Sequence, residues 1–431
     1  MALASVDEVI QLQQRIAPEM AEIIERRFMV LRNLHFAQPI GRRGLAQMLA
    51  SPERSVRREL DFLRTGGLIS VEAGGVRLTD EGEALLDRLA DYVRELRGLV
   101  HLEKALARRL GLQEAVIVPG DCDRDPRVKQ ELGRATARLL QSRLQDGQVL
   151  AVSGGTTMAE VARAMPDLGG RPGEPARRRT ILVVPARGGL GEDVEIQANT
   201  IAANMAARLG GNYRLLHVPD GVGGEALSRL LQEPVIAEVV GIIRRADVVL
   251  HGIGTAEEMA RRRGLPKEQW EYLQCHHAVG EAFGYYFDAQ GRTVFVTNSI
   301  GLHLEDLAHV PLVISVGGGA TKAAPLLAVI HPPLQKVLVT DEGAARKAWE
   351  LLQRTRPPEA GEREDPAAAR PAGAGPAWAA HRRRLESSLR GPCGRGTGTD
   401  SCRRVTAQVH ANISQQTKED GNHGKKDQSG N

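Results

Sequence analysis

The chain has 431 residues with a formal net charge of +4, and 42% of its residues are hydrophobic while only 3% are aromatic. This length and aliphatic content predict two or three domains with sizeable cores, and the small positive charge permits a polyanionic partner without requiring one. The four cysteines lie far apart except for two near the C-terminus, which excludes a disulfide framework and indicates a reducing compartment.

The first twenty residues carry acidic side chains where a signal peptide would need a cationic run followed by an apolar one. No apolar stretch reaches the roughly 18 residues of a membrane span. We therefore expect a cytoplasmic protein with no membrane partner.

Composition changes along the chain predict four segments. The pattern is helical and rich in Arg at first, then alternates strand-like runs with helical ones, and finally loses its apolar period. The predicted segments are a DNA-binding domain at 1–82, a helical linker at 83–112, an effector domain at 113–354 and a disordered tail at 355–431. The tail is rich in Ala, Gly, Pro and Arg and cannot bury a core; its "HRRR" run leaves nonspecific nucleic-acid affinity as an alternative to a dispensable extension.

Residues 40–82 have the pattern of two short helices followed by two strands. The apolar faces of the helices are Leu45, Met48 and Leu49, and then Val56, Leu60 and Leu63. "SPE" separates them, and Ser51 is a good N-cap for the second helix. "LISVEAGGVRLT" then alternates about a Gly-Gly turn. The pattern predicts a winged helix-turn-helix.

The second helix of this module presents a polar, basic face away from its apolar one. Side chains at that position enter the major groove of double-stranded DNA, here an operator. The candidates for DNA contacts are Arg54, Ser55, Arg57 and Arg58, with Arg77 of the wing placed to touch phosphate. For any single arginine, a solvated basic helix face is the alternative.

Residues 83–110 carry a narrow apolar stripe at steps of three and four, interrupted by Glu103. The stripe consists of Leu85, Leu89, Tyr92, Leu96, Leu99, Leu106 and Leu110. A helix of this kind pairs with its copy in another subunit or packs against its own domain. We favour dimerisation, because a helix-turn-helix reader uses two half-sites, and so expect a homodimer or homotetramer.

The segment 113–354 alternates apolar runs that end in glycine loops with helical stretches. The runs are "VLAVSGG", "TILVVPARGG", "YRLLHVPDG", "ADVVLHGIG", "TVFVTN", "VPLVISVGGG" and "KVLVTDEG". Such runs are typical of a Rossmann-like parallel sheet with helices on both faces, so the fold class is α/β. Ligands bind such sheets at the carboxyl ends of the strands, which predicts one crevice.

The turn "SGGTT" at 153–157 has the composition of an anion-binding loop. Gly154 and Gly155 let the backbone approach a ligand, while Thr156 and Thr157 cap the helix that follows. An ordinary loop between a strand and a helix has the same composition, so the turn alone is a weak signal.

Three further loops favour a phosphorylated polyol as ligand. "PARGG" supplies Arg187, "GEAFGYYFD" supplies Glu281, and "SVGGGATK" supplies Lys322. A lysine in the first turn of a helix opposes the helix dipole, so an anion explains its position better than local stability does. Two phosphate cradles are therefore expected, with Glu281 and either Gln197 or Asn199 accepting sugar hydroxyls.

"CHH" at 275–277 invites a metal interpretation. Three consecutive side chains cannot converge on one ion, and no partner cluster is visible in the sequence. We assign these residues to packing and expect no metal site.

Taken together, the winged helix, "SGGTTM", "PARGGLGEDVEIQANTIAANMA", "GIGTAEEM", "AFGYYFD" and "GGGATKAAPLLAVI" resemble the SorC/DeoR family of bacterial transcriptional repressors over about residues 1–345. The resemblance implies an effector domain similar in fold to the sugar-phosphate isomerase and CoA-transferase superfamily. It also implies fructose 1,6-bisphosphate as inducer, the promoter of a glycolytic operon as DNA target, and no cofactor.

The same resemblance implies roles for individual residues. Gly155, Thr156 and Thr157 would hold one phosphate, and Arg187 and Lys322 would hold the charged groups of the ligand. Gln197 and Glu281 would lie near the sugar hydroxyls. An arginine after "EEM" belongs to the site of the family, and Arg262 is our choice among the three at 261–263. The family pattern is interrupted at 169–179, which looks like an expanded loop.

An enzyme is the alternative, since an isomerase-like crevice could use a carboxylate as a base. The candidate bases are Glu192, Asp193, Glu195 and Glu281. The DNA-binding module favours a regulator without catalytic residues, because it gives ligand binding an output that needs no turnover.

Overall fold

The computed structural model describes residues 6–168, 179–189, 193–219, 224–330 and 334–354. The chain divides into two units: one runs to Ala105 and includes Ile117–Pro119, and the other comprises Leu106–Val116 and the chain from Gly120. The predicted tail at 355–431 lies outside the described residues, and so does the predicted expanded loop at 169–179 except for its last residue. The bounds of the four predicted segments stay predictions.

The N-terminal part of the chain is mainly helical. Its elements are α1 (Val6–Ile16), α2 (Pro18–Ala37), α3 (Arg42–Met48), α4 (Glu53–Thr65), β1 (Ile69–Glu72), β2 (Gly75–Leu78), α5 (Asp80–Leu96) and α6 (Leu99–Leu110). Strands β1 and β2 pair antiparallel, with Ser70 opposite Arg77. Helices α3 and α4 and this ribbon are the predicted winged helix-turn-helix.

The core of this module joins α2 to the two predicted helices. Its fully buried side chains include Leu31 and Leu34 of α2, Leu45 of α3, and Leu63 of α4. Burial of one leucine side chain stabilises the fold by about 2 kcal/mol. The apolar spacing read from the sequence therefore identifies the faces that pack.

The start of α4 differs from the expectation. Pro52, not Ser51, occupies the N-cap, and no side chain caps the helix. The chain reverses at Ala50, whose φ is +47°, and the Ser51 hydroxyl donates to the Leu49 carbonyl at 3.1 Å. The Ser51 hydroxyl therefore bonds within this turn and not to an amide of α4.

The predicted linker is two helices rather than one. α5 and α6 are separated at Gly98, whose φ of +67° favours glycine. Leu89 packs against the winged-helix core, and Leu96, Leu99 and Leu106 are buried within the single chain. The stripe thus packs against its own chain, as in the alternative; the oligomeric state stays a prediction.

The remaining elements form the α/β part of the chain. They are β3 (Glu114–Val118), α7 (Arg127–Arg143), β4 (Val149–Val152), α8 (Thr156–Ala164), β5 (Leu182–Pro185), α9 (Ala198–Leu209), β6 (Asn212–Tyr213), α10 (Gly224–Leu230), α11 (Pro234–Arg244), β7 (Val248–Gly252), β8 (Gly254–Thr255), α12 (Ala256–Arg262), α13 (Lys267–Cys275), β9 (Ala278–Ala282), β10 (Tyr285–Asp288), β11 (Thr293–Val296), β12 (Leu312–Val316), α14 (Ala323–Ile330), β13 (Val337–Asp341) and α15 (Glu342–Arg354).

The main sheet has seven strands in the order β3-β13-β12-β7-β4-β5-β6. The pairs β13 with β12, β12 with β7, β7 with β4, β4 with β5, and β5 with β6 are parallel. The strands at its centre are buried along nearly their whole length, as expected for a sheet covered on both faces. The predicted parallel-sheet domain is confirmed.

One predicted strand belongs to a different sheet. "TVFVTN" supplies β11, which pairs antiparallel with β10 in a second sheet of order β11-β10-β9-β8. A tight turn from Asp288 to Arg292 connects the two strands, with Gly291 at φ +73°. Such a short connection allows a hairpin but not a parallel crossover. The run "YRLLHV" is also shorter than expected, because β6 contains only two residues.

Among the described residues, every helix is too short or too polar to cross a lipid bilayer.

Candidate functional site

A cavity of about 410 Å³ opens at the carboxyl ends of β4, β5 and β7. Its wall includes all eight residues predicted to bind an effector: Gly155, Thr156, Thr157, Arg187, Gln197, Arg262, Glu281 and Lys322. The topology therefore brings together side chains that are up to 167 positions apart in sequence, from Gly155 to Lys322. Their role in binding stays a prediction.

The "SGGTT" turn joins β4 to α8 at this cavity. Gly155 has φ +120°, and its amide donates to the carbonyl of Ile196 at 2.8 Å. Helix α8 begins at Thr156 with no side-chain cap, so the predicted capping by the threonine hydroxyls is wrong. The first amides of a helix lack intrahelical acceptors, and in α8 they belong to Thr156, Thr157 and Met158, which line the cavity.

Lys129 is a residue that the sequence reasoning missed. It lies on α7, and its Nζ donates to the Thr156 hydroxyl at 3.3 Å. The "SGGTT" turn is therefore in direct contact with a lysine side chain. The only sequence signal is a lysine in the first turn of a helix, the same unfavourable position that singled out Lys322.

Basic side chains predominate among the charged residues of the cavity wall. Its cations are Arg187, Arg262, Arg263 and Lys322, and its carboxylates are Glu258 and Glu281. Within the described residues the cations therefore outnumber the carboxylates by two. Burial lowers the pKa of Lys322, because desolvation disfavours the ammonium form, whereas the nearby Glu258 carboxylate raises it. An anion in the cavity would favour the charged form further.

Glu281 is held in place by a residue that the sequence reasoning did not choose. Arg263 Nη2 donates to Glu281 Oε1 at 2.7 Å, and the Gly284 amide donates to the same oxygen at 2.5 Å. Burial is also the main reason that the pKa of neighbouring Tyr286 rises to about 12. The sequence has three consecutive arginines at 261–263, and it did not indicate which of them would bind Glu281.

The second glycine-rich loop does not form the predicted phosphate cradle. Its amides at Gly319, Ala320 and Thr321 donate to the carboxylates of Asp341, Asp121 and Asp123 at 2.7, 3.2 and 2.8 Å. A side chain at Gly319 would lie 2.3 Å from Asp123 Oδ1. Carboxylates of the protein thus occupy the loop, and only Lys322, just before α14, reaches the cavity.

Of the two amides considered for sugar hydroxyls, only Gln197 lines the cavity. The Asn199 amide donates to the Leu216 carbonyl at 3.1 Å and accepts from the Leu216 amide at 3.0 Å. Asn199 is buried and its side chain is hydrogen-bonded to the backbone of Leu216, so it does not line the site.

The carboxylates proposed for the enzyme alternative are not arranged for base catalysis. Glu195 is exposed and pairs with Arg163 at 3.1 Å, while Asp193 accepts from the Glu195 amide. Glu281 is locked to Arg263. Glu192 lies outside the described residues.

The "CHH" residues are mostly not packed as expected. Cys275 and His277 are exposed, and only His276 stacks on Tyr272, with ring centroids 3.9 Å apart. Cys275 is the last residue of α13, and the chain turns two residues later, at His277, with φ +52°. Within the described part of the chain, no group of three His, Cys, Asp or Glu side chains is arranged to hold a metal ion.

The candidate DNA-binding face lies on α4. Arg54, Arg57 and Arg58 are exposed and Ser55 is half-buried, while Arg77 is exposed on the wing. Arg57 is held loosely by Asp61 at 3.8 Å, and Arg77 by Glu72 at 3.3 Å. Glu59 is buried and pairs with Arg27 at 3.0 Å, so this carboxylate of α4 lies inward while the guanidinium groups and the Asp61 carboxylate lie on the exposed face.

Two family models match the chain. The CggR N-terminal DNA-binding domain matches residues 23–93, and the sugar-binding domain of the Sugar-bind family matches residues 94–349. The central glycolytic genes regulator of Bacillus subtilis is 43% identical over 343 residues, which cover 79% of this chain and 98% of the relative. The chain belongs to the SorC/DeoR family of transcriptional regulators. It is a DNA-binding regulator with a sugar-binding domain, and not an enzyme.

Solved structures of SorC regulators have the same fold. A SorC family regulator from Enterococcus faecalis is 41% identical, with a TM-score of 0.53, and covers 58% of this chain and 99% of its own. The full-length sorbitol operon regulator of Klebsiella pneumoniae, at 20% identity and a TM-score of 0.54, covers 76% and 98%. The second likeness concerns fold alone.

Proposed function

We propose that this SorC regulator represses a glycolytic operon and is induced by a phosphorylated sugar, with fructose 1,6-bisphosphate as the effector. The observation that carries the proposal is a cavity whose cations outnumber its carboxylates by two and which faces the uncapped start of α8. Both features stabilise bound phosphate groups. The name of the Bacillus subtilis relative supports a glycolytic target.

One phosphate would lie at Gly155, Thr156 and Thr157, which line the cavity at the uncapped start of α8. Arg187, Arg262 and Lys322 would bind the charged groups of the ligand. Arginine can bind phosphate with two parallel hydrogen bonds, which gives orientation as well as affinity.

Gln197 and Glu281 would bind the sugar hydroxyls. Among the described residues, both hydrogen bonds to Glu281 fall on Oε1, from Arg263 and from the Gly284 amide. Oε2 is therefore available to accept from a hydroxyl. A carboxylate fixed in this way selects a polyol over a simple anion, because its own charge repels an anion that has no hydroxyl to donate.

The partners of the regulator would be operator double-stranded DNA and further copies of itself. Paired half-sites favour a homodimer or homotetramer, with Arg54, Ser55, Arg57, Arg58 and Arg77 contacting each half-site. The proposal places the protein in the cytoplasm, where glycolytic sugar phosphates and the chromosome are both present, and it requires no cofactor.

Induction would be a shift between a DNA-bound and a released state. The effector can drive it only through a difference in its affinity for the two states. A coupling free energy of about 1–3 kcal/mol corresponds to a change in operator affinity of about 5- to 150-fold.

Fluorescence anisotropy of the full chain on labelled promoter DNA of a glycolytic operon tests the proposal. Titration with fructose 1,6-bisphosphate should weaken the complex, and fructose 6-phosphate, which lacks one phosphate, is the control. If neither sugar changes the affinity for the promoter, the proposed effector is wrong. If the protein does not bind the promoter, the proposed DNA target is wrong.

A further inference from the structure

Glu258 is a carboxylate inside the predicted phosphate site that no part of the proposed function uses. It lies in the first turn of α12, where the Thr255 hydroxyl accepts from its amide at 3.2 Å. Its side chain lines the cavity together with Arg262 and Lys322. A carboxylate beside phosphate ligands is unfavourable for phosphate binding, so its position needs an explanation.

The contacts of Glu258 explain why a carboxylate lies in this site. Glu258 Oε1 accepts a hydrogen bond from Arg262 Nη2, one helical turn later. It is also the carboxylate whose charge acts most strongly on Lys322, whose ammonium group makes no hydrogen bond or ion pair within the described part of the chain. One carboxylate therefore faces two of the cations that the effector would use.

Glu281, the other carboxylate in the wall, behaves differently. It is 3% exposed and receives two hydrogen bonds, from Arg263 and from the Gly284 amide. The Glu258 side chain is 33% exposed, and its hydrogen bond to Arg262 lies within one helix. A change of rotamer can therefore move the Glu258 carboxylate into solvent without breaking the fold, whereas Glu281 has no such route.

We propose that Glu258 is an internal counter-ion that pairs with Arg262, beside Lys322, when the phosphate site is empty, and that the incoming phosphate displaces it from Arg262. The inference rests on the proposed function for the identity of the natural effector, but not for the chemistry of the anion. Because the phosphate must replace an existing charge-assisted contact, Glu258 weakens binding and raises the effector concentration at which the regulator responds.

Glu258→Gln tests this role by a gain of affinity, which a damaged fold cannot imitate. The matched control is Glu257→Gln, which makes the same change of charge at the neighbouring, exposed residue. By isothermal titration of the full chain, we expect fructose 1,6-bisphosphate to bind E258Q roughly tenfold more tightly than E257Q, the factor for one contact to a charged group. In an Arg262→Gln background, the gain from E258Q should largely disappear.

Inorganic phosphate is the second probe, because its binding does not depend on which sugar is natural. The same order, E258Q tighter than E257Q, is expected with phosphate. Equal affinities of the two variants for phosphate overturn the counter-ion role. If the order holds for phosphate while no variant binds the bisphosphate, the role of Glu258 stands and the effector under the proposed function is wrong.

Discussion

Arg263 and Glu281 form a buried ion pair in the wall of the cavity, with 2.7 Å between Nη2 and Oε1 and side chains that are 11% and 5% exposed. The pair fixes one wall of the predicted sugar site to the C-terminal end of α12. Its two members come from different elements, because Arg263 follows α12 and Glu281 lies on β9.

Arg263→Gln should strongly destabilise the sugar-binding domain. The substitution leaves the Glu281 carboxylate buried without its counter-charge, which costs about 3–5 kcal/mol. Chemical denaturation followed by circular dichroism measures the loss. Arg261→Gln, at an exposed position of the same arginine run, is the control and should change stability by less than about 0.5 kcal/mol. Similar values for the two variants would show that the pair does not hold this wall.

The sequence predicted which side chains line the cavity, but it did not predict which of them pair with one another. Apolar runs ending in glycine loops locate the carboxyl edge of a parallel sheet, and Thr157 and Lys322 both lie there. Periodicity reports which face of an element is buried, so the winged helix was also predictable.

What the sequence could not give were contacts between distant segments. The "GGG" loop has the composition of a phosphate cradle, but its amides donate to the carboxylates of Asp121 and Asp123, almost 200 residues earlier in the chain. In the same way, an apolar run does not reveal its partner strand, which is why β11 was expected in the parallel sheet. Local composition indicates which groups a loop can bind, whereas the fold determines which groups of the same chain already bind it.

Thr157→Ala and Lys322→Ala should reduce the response to the effector and leave operator affinity unchanged. Each removes one contact that a phosphate would make in the cavity, worth about 1.5–3 kcal/mol when a charge is involved, or roughly ten- to 150-fold in effector affinity. Anisotropy on operator DNA measures both quantities. Lys267→Ala, which removes an exposed lysine on α13, is the control. A wild-type response in both cavity variants would remove these residues from the site.

Arg57→Ala should weaken operator binding without changing effector affinity. Its side chain is 66% exposed on α4, and loss of a base or phosphate contact there costs about 1–3 kcal/mol. A smaller dependence of operator affinity on salt is expected if the lost contact is to phosphate. Arg88→Ala, also exposed but on α5, should bind DNA like the wild type; equal DNA affinity of the two variants would place Arg57 outside the interface.

His303 should make the stability of the protein fall in acid. Its ring is buried, and burial, assisted by the charge of Arg244, lowers its pKa from 6.5 to about 3. In the unfolded chain the histidine takes up a proton below pH 6.5, but the folded protein holds it neutral until about pH 3. Unfolding therefore gains protons, and the free energy of unfolding should decrease by about 1.4 kcal/mol per pH unit well below pH 6.5 and above pH 3.

His303→Asn isolates this effect from the titration of the carboxylates. Denaturant unfolding of both proteins between pH 7.5 and pH 4 gives the difference in stability at each pH, and terms common to both cancel. Near pH 7.5 the variant should be less stable, because Asn fills the site poorly and adds a buried amide. The difference should shrink as pH falls, since only the wild type loses stability through the histidine. A difference that stays constant over this range would mean that the ring titrates normally.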